Sequence, residues 1–202
     1  MFSIIQAAGW PIWFLLLASI IGLALIIERI WYLRRPRILP PGLLREVVEA
    51  HQNGHVDDDT IEKLEQNSPL GIVLAAGLRN SGAPREAMRE AIEEAGRRAA
   101  HQLERFLTTI GTIATLAPLM GLFGTVVGMI EIFGSQSATG SNPVQLAHGI
   151  SVALYNTGFG LMIAMPSLVF YRHFRALVDS FVIDMEQQAV KFVDIVQGAR
   201  KS

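Results

Sequence analysis

The sequence predicts an all-α membrane protein with three transmembrane helices and long helices extending from them into the cytoplasm. Three observations carry this reading. First, the 202 residues are 50% hydrophobic but only 17% charged, whereas a typical soluble domain is about 25% charged. Second, the missing charge is concentrated in gaps. Trp10 to Ile27 and Phe106 to Ile130 contain none, and between Glu131 and Arg172 there is only His148. Third, nearly all Lys and Arg lie on one side of those gaps. The same arithmetic excludes several classes. A mean hydropathy of +0.36 excludes a disordered chain. The net charge of −1 argues against a nucleic-acid partner. The absence of cysteine excludes a disulfide scaffold and a cysteine zinc site. No nucleophile–base pair or metal cluster is visible, so neither an enzyme nor a cofactor or metal is expected.

The first element is the span at about 10–31, within a segment 1–33 that includes a short N-terminus. A spanning helix needs about 20 mostly apolar residues at about 1.5 Å each. A cleaved signal peptide would have a basic start and an A-x-A-like site, and this segment has neither. It ends in Glu28 and Arg29, then Trp31, Tyr32, Arg34, Arg35 and Arg37, aromatic and basic residues of the kind that mark a membrane interface.

Segment 34–105 reads as a cytoplasmic helical region. Pro36, Pro40 and Pro41 break the chain after the first span. Short helices are expected over Leu43–Gln52 and Thr60–Gln66. The run Asp57-Asp58-Asp59 reads as a solvated turn and helix start rather than a divalent-cation site, because no further ligands recur at loop spacing. Ser68-Pro69 opens another helix to about Asn80, and Ser81 to Pro84 form a turn. From Arg85 the pattern is helical, with opposite charges at Arg89/Glu93, Glu93/Arg97 and Glu94/Arg98 and small residues at Ala87, Ala91, Ala95 and Ala99. No breaker precedes Phe106, so this helix is expected to run on into the second span, 106–132.

A Gly/Ser/Asn/Pro-rich loop, 133–146, leads to the third span, 147–171, and a C-terminal helix, 172–202. Phe174, Leu177, Phe181, Gln188, Phe192 and Val196 recur at helical spacing, so the tail continues the third span. Segment 34–105 and the tail hold the basic residues. The residues before the first span and the loop 134–146 hold none. The positive-inside rule then places the N-terminus and the short loop outside, and the long loop and C-terminus in the cytoplasm.

The second span carries Pro118, Gly121, Gly124, Thr125 and Gly128. Gly124-x-x-x-Gly128 permits close helix approach, although a lone motif of this kind is weak. In the third span Gly149, Ala153, Thr157, Gly160, Ala164 and Ser167 fall at spacings of 4, 4, 3, 4 and 3, a narrow small-residue stripe. The stripe serves either packing or a pore. Asn156 is expected to bond across a helix interface. No acid lies deep in any span, yet a proton pathway normally contains one. Either this is no proton pathway, or a partner supplies the carboxylate.

The stretches TIATLAPLMGLFGTVVGMI (112–130) and GISVALYNTGFGLMIAMP (149–166), with Gly9-Trp-Pro before the first span and Glu28-Arg29 at its end, resemble the MotA/TolQ/ExbB proton channel family. The three-span topology is that of its ExbB and TolQ branch, and the chain is most similar to ExbB-like biopolymer transport proteins. The resemblance implies a homo-oligomeric ring, typically a pentamer, around a single-pass partner of ExbD or TolR type. That partner carries the membrane aspartate, and proton flow drives a TonB-like or Tol protein across the periplasm. It implies an inner-membrane location, contact with membrane lipids, and no nucleic acid. It also implies that Thr125 and Thr157 line the pore and that Pro118 and Pro166 are the family prolines. Many relatives carry Glu where this chain has Val152, so a relay role there does not carry over. Glu131 is the nearest acid to the outer mouth, either a proton-entry group or a solvated helix-end carboxylate. A non-conducting scaffold and an autonomous transporter are the competing readings.

Overall fold

The structure, a computed structural model, describes residues 9–54, 56–134 and 143–199. Of the expected loop 133–146, residues 135–142 lie outside the described residues, as do 1–8 and 200–202, and its two ends are helical. The side chains of His148 and Val152 are also outside them. Among the described residues the regular elements are all helices: α1 (Pro11–Tyr32), α2 (Arg35–Ile38), α3 (Leu43–Gln52), α4 (Asp58–Asn67), α5 (Pro69–Arg79), α6 (Arg85–Glu104), α7 (Leu107–Gly134) and α8 (Pro143–Ala199). Of these, α1, α7 and α8 are long and apolar enough to cross a membrane. At about 1.5 Å per residue, the 22 residues of α1 span about 33 Å, close to the hydrocarbon thickness of a bilayer.

The chain divides into two compact units. The first comprises the described residues up to Glu28 and Phe106–His173. The second comprises Arg29–Arg105 and the described residues from Phe174 onward. In the first unit, large apolar side chains point outward. Trp13, Leu122, Met162 and Val169 are all more than half exposed. Small residues are inside, among them Ala117, Ala153 and Ala164. Leu15, Ala117 and Ala164 form a core cluster, with Met120, Phe159 and Ile163 packed against it.

The second unit is built around large apolar side chains. Leu70, Leu74, Met88, Leu103, Phe174, Phe181 and Phe192 are fully buried. Two of its helices, α4 and α5, are capped at their starts by side chains. Asp57 accepts the Thr60 backbone N–H at 2.9 Å, and Ser68 accepts that of Gly71 at 3.1 Å. The Thr60 hydroxyl also donates to Asp57, and these hydrogen bonds hold the Asp57 carboxyl below its ordinary range. Asp59 raises the Lys63 ammonium above its usual value one turn further on. Ion pairs link separate elements: Arg35–Asp184 (2.9 Å), Arg79–Glu65 (2.8 Å), Arg85–Asp194 (2.5 Å) and Arg175–Glu104 (3.1 Å).

One sequence expectation is corrected. The helix from Arg85 does not run into the second span; it stops at Glu104, and α7 starts at Leu107. Arg105 is extended (φ −50°, ψ 136°) and Phe106 is left-handed (φ 66°), a costly state for a bulky residue. No Gly or Pro marks the break. An unbroken helix would put Leu103 and Leu107 on one face. With the break, each is buried within its own unit. By contrast α8 runs unbroken for 57 residues, through Pro166, as the spacing of the tail predicts.

Candidate functional site

The two Gly/Pro/Thr stretches fall on α7 and α8 of the first unit, and their glycines lie where these helices approach. A Cβ on Gly160 would sit 2.5 Å from the Ala117 carbonyl oxygen and 3.1 Å from the Gly121 Cα. One on Gly121 would sit 2.7 Å from the Asn156 carbonyl oxygen and 3.0 Å from the Thr157 Cα. A Cβ on Gly124 would sit 2.7 Å from the Asn156 Cβ. At Gly121 and Gly160 these are backbone-to-backbone approaches that an added methyl would forbid, and at Gly124 the glycine makes room for the Asn156 side chain. Gly128 is looser, with the Ala153 Cβ at 3.5 Å. At Gly149 the near neighbour is only the flexible end of Ile132. Asn156 is 1% exposed at the centre of this contact, under Gly124. A polar side chain so deep in an apolar pair fixes the register of the two helices, because sliding either would move it away from its glycine.

Most hydroxyls in these helices turn back onto their own backbone. Thr112 donates to the Thr108 carbonyl (2.8 Å), Thr115 to that of Thr112 (3.0 Å), Ser151 to that of Ala147 (2.9 Å) and Ser167 to that of Ile163 (2.8 Å). Thr125 donates to the Leu122 carbonyl at 2.6 Å. Its proton is therefore used, and its remaining lone pairs can only accept.

Thr125 and Thr157 are both half-buried, at the margin between the glycine contact and the exposed surface. Thr125 lines a shallow groove along α7 with Val126, Met129, Ile130 and Phe133. Neither Thr157 nor Glu131 lines that groove. Glu131 is exposed, near the end of α7. Pro118 is half-buried and Pro166 exposed, and both lie inside continuous helices.

The helix pair carries the long Gly/Pro/Thr stretches, and the family's sequence profile matches residues 65–187, described as the MotA/TolQ/ExbB proton channel family. The chain belongs to this family. It is 34% identical over 175 residues to biopolymer transport protein ExbB-like 3 of Synechocystis sp., covering 84% of this chain and 82% of that one. It is 30% identical over 169 residues to biopolymer transport protein exbB1 of Vibrio cholerae, covering 81% and 74%. Tol-Pal system protein TolQ of Haemophilus influenzae is 33% identical over 93 residues, 46% of this chain and 39% of that one. With its three long apolar helices, this family member is a multi-pass membrane protein.

The burial of one residue was not foreseen. Arg29, read as a boundary charge and, with Glu28, as part of the family resemblance, is 2% exposed. Its Nη1 donates to the Leu103 carbonyl at 3.2 Å and its guanidinium lies 4.6 Å from the centroid of the Tyr32 ring. It sits one turn before Tyr32 on α1, so the i,i+3 spacing of a cation and an aromatic was the available signal.

Proposed function

We propose that this chain is the multi-copy subunit of an inner-membrane, proton-driven motor of ExbB type. In this reading several copies, five in the family pattern, surround a single-pass ExbD-like partner. The N-terminus is periplasmic and the C-terminus cytoplasmic. The ring passes the proton motive force to a TonB-like protein. The single observation that carries the reading is the α7–α8 pair, locked by Gly121, Gly124 and Gly160, with Thr125 and Thr157 half-buried at its margin and no acid deep in the spans. A pore wall of this kind offers hydroxyl oxygens but no titrating group, so the proton carrier belongs to the partner. The Thr125 oxygen accepts from a protonated partner carboxyl and loses that bond when the carboxyl ionises.

Two features of the second unit support self-association. Ile183 and Val190 are exposed seven residues apart on α8. A groove of about 530 Å³ between α6 and α8, floored by Ile92, Met185 and Val193, is wide enough to receive side chains of a neighbouring helix. Glu131 is the proton-entry candidate on the outer side. A TolQ-like role in an envelope-integrity complex is the second reading, favoured by the similarity to the Haemophilus protein over 93 residues.

Proton flux into liposomes holding the chain and its partner tests the proposal. Thr157→Val keeps size and removes the hydroxyl. It is expected to leave assembly intact and lower flux by about tenfold, the worth of one hydrogen bond to a charged group. Wild-type flux in that variant removes Thr157 from the pathway. No flux from the wild-type pair leaves a non-conducting scaffold.

A further inference from the structure

The second unit contains a small polar slot that the motor reading does not use. It has a volume of about 160 Å³ and is lined by Tyr32 and Arg37 on one side, by Gln66, Asn67 and Ser68 of the α4–α5 turn on another, and by Gln102 of α6. At about 30 Å³ per water, it has room for a phosphate diester. We propose that this slot binds the phosphate of an anionic membrane lipid such as phosphatidylglycerol.

Its chemistry suits an anion. The Arg37 guanidinium stands 5.2 Å from the centroid of the Tyr32 ring, and the buried Arg29 guanidinium lies 4.6 Å from the same centroid. Of these two cations only Arg37 lines the slot; Arg29 is buried and bound to the Leu103 carbonyl. Arg37 and Arg34 are exposed, and neither forms an ion pair with a carboxylate among the described residues, whereas the neighbouring Arg35 is taken by Asp184. Gln66, Asn67 and Gln102 add carboxamide donors. The one acid on the wall, Glu65, is held by Arg79 at 2.8 Å, so it does not repel an incoming anion.

Its position points to a lipid rather than a soluble phosphate. Tyr32 lies five residues beyond Ile27, the last residue of the charge-free run, which is about 7.5 Å along the helix. The headgroup layer is about 5–7 Å deep on each side of the hydrocarbon, so Tyr32 stands at its outer edge, within reach of a lipid phosphate. Trp31 beside it is 66% exposed, as expected for an indole resting at the interface. The short helix α2 is pinned by buried Leu33, Ile38 and Leu39, which holds the arginines in place without filling the slot.

The test uses the full chain purified in zwitterionic detergent, with phosphatidylglycerol or phosphatidylcholine added back and retained lipid counted by mass spectrometry. Wild type is expected to retain phosphatidylglycerol selectively and to melt at higher temperature with it. Arg37→Gln should reduce retention about fivefold, the effect of one basic residue near an anionic surface. Arg45→Gln, an exposed arginine on α3 already paired with Glu49, should not. Should Arg37→Gln fail to fold, Gln102→Glu places a carboxylate at the slot from an exposed position and should abolish retention by itself. Equal losses from Arg37→Gln and Arg45→Gln would reduce the effect to diffuse charge and overturn the site. Equal retention of the two lipids would overturn it too. Inorganic phosphate raising the melting temperature as phosphatidylglycerol does would reassign the slot to a soluble anion.

Discussion

The first unit turns many large apolar side chains outward and brings its helices together on small residues; the second buries its large aromatic side chains beneath a charged surface. In the first, Ala117, Ala153 and Gly160 are buried while Leu122 is 56% and Met162 67% exposed. In the second, Phe174, Phe181 and Phe192 are buried and arginines, aspartates and glutamates cover the surface. The difference follows from the solvent each meets. In water, burying a large side chain is the main driving force. Lipid tails are as apolar as leucine, so burying leucine there gains little. What holds helices together instead is how closely their backbones can approach.

The sharpest way to break this comparison is truncation. Phe192→Ala in the second unit should cost about 3–5 kcal/mol, read as a lower melting temperature of the full chain in detergent. Leu122→Ala in the first should change stability by no more than about 0.5 kcal/mol. Similar losses from both would mean that the outward face of α7 is covered by protein rather than by lipid.

Next in size is the glycine contact. Gly160→Ala drives a methyl into the Ala117 carbonyl oxygen, a backbone atom that cannot move aside, and should cost about 1–3 kcal/mol. Gly128→Ala, with its nearest neighbour at 3.5 Å, should melt like the wild type. Indistinguishable melting of Gly160→Ala and Gly128→Ala would show that the close approach contributes nothing.

The smallest effect is electrostatic and confined to the second unit. The Asp57 carboxyl is held below its ordinary range by Thr60. A group depressed in the folded state contributes stability above its unfolded pKa, about 3.9 for Asp, and loses it as the pH falls through the lowered folded value. Asp57→Asn keeps the cap but cannot titrate. Its stability should therefore fall less steeply than wild type on acidification below about pH 4, as followed by helical circular dichroism. Parallel curves would remove the cap from the acid response.

These contrasts also separate what was legible in the sequence from what was not. The three long apolar helices were legible because a bilayer imposes a minimum length on charge-free runs. The glycine and alanine spacing on α7 and α8 was equally visible. Its partner was not: that Gly124 lies over Asn156 depends on the relative register of two helices, which no local pattern encodes. The break at Phe106 was invisible for a related reason. Its cause is where Leu103 and Leu107 bury, not a glycine or proline in the chain. Arg29 read as a charge at the membrane boundary because burial of a cation depends on the Leu103 carbonyl, 74 residues away. The pore assignment of Thr125 and Thr157 came from resemblance rather than periodicity, since spacing alone fits packing as well.

The unbroken α8 has one more consequence, which concerns phase. From Pro143 to Ala199 each residue turns about 100° past the one before it. Inserting a single residue between Phe181 and Phe192 would therefore rotate the rest of the helix by that amount. Phe192 would leave the core that Phe174 and Phe181 still hold. The α6–α7 connection is interrupted at Arg105 and Phe106, so α6 and α7 share no such count.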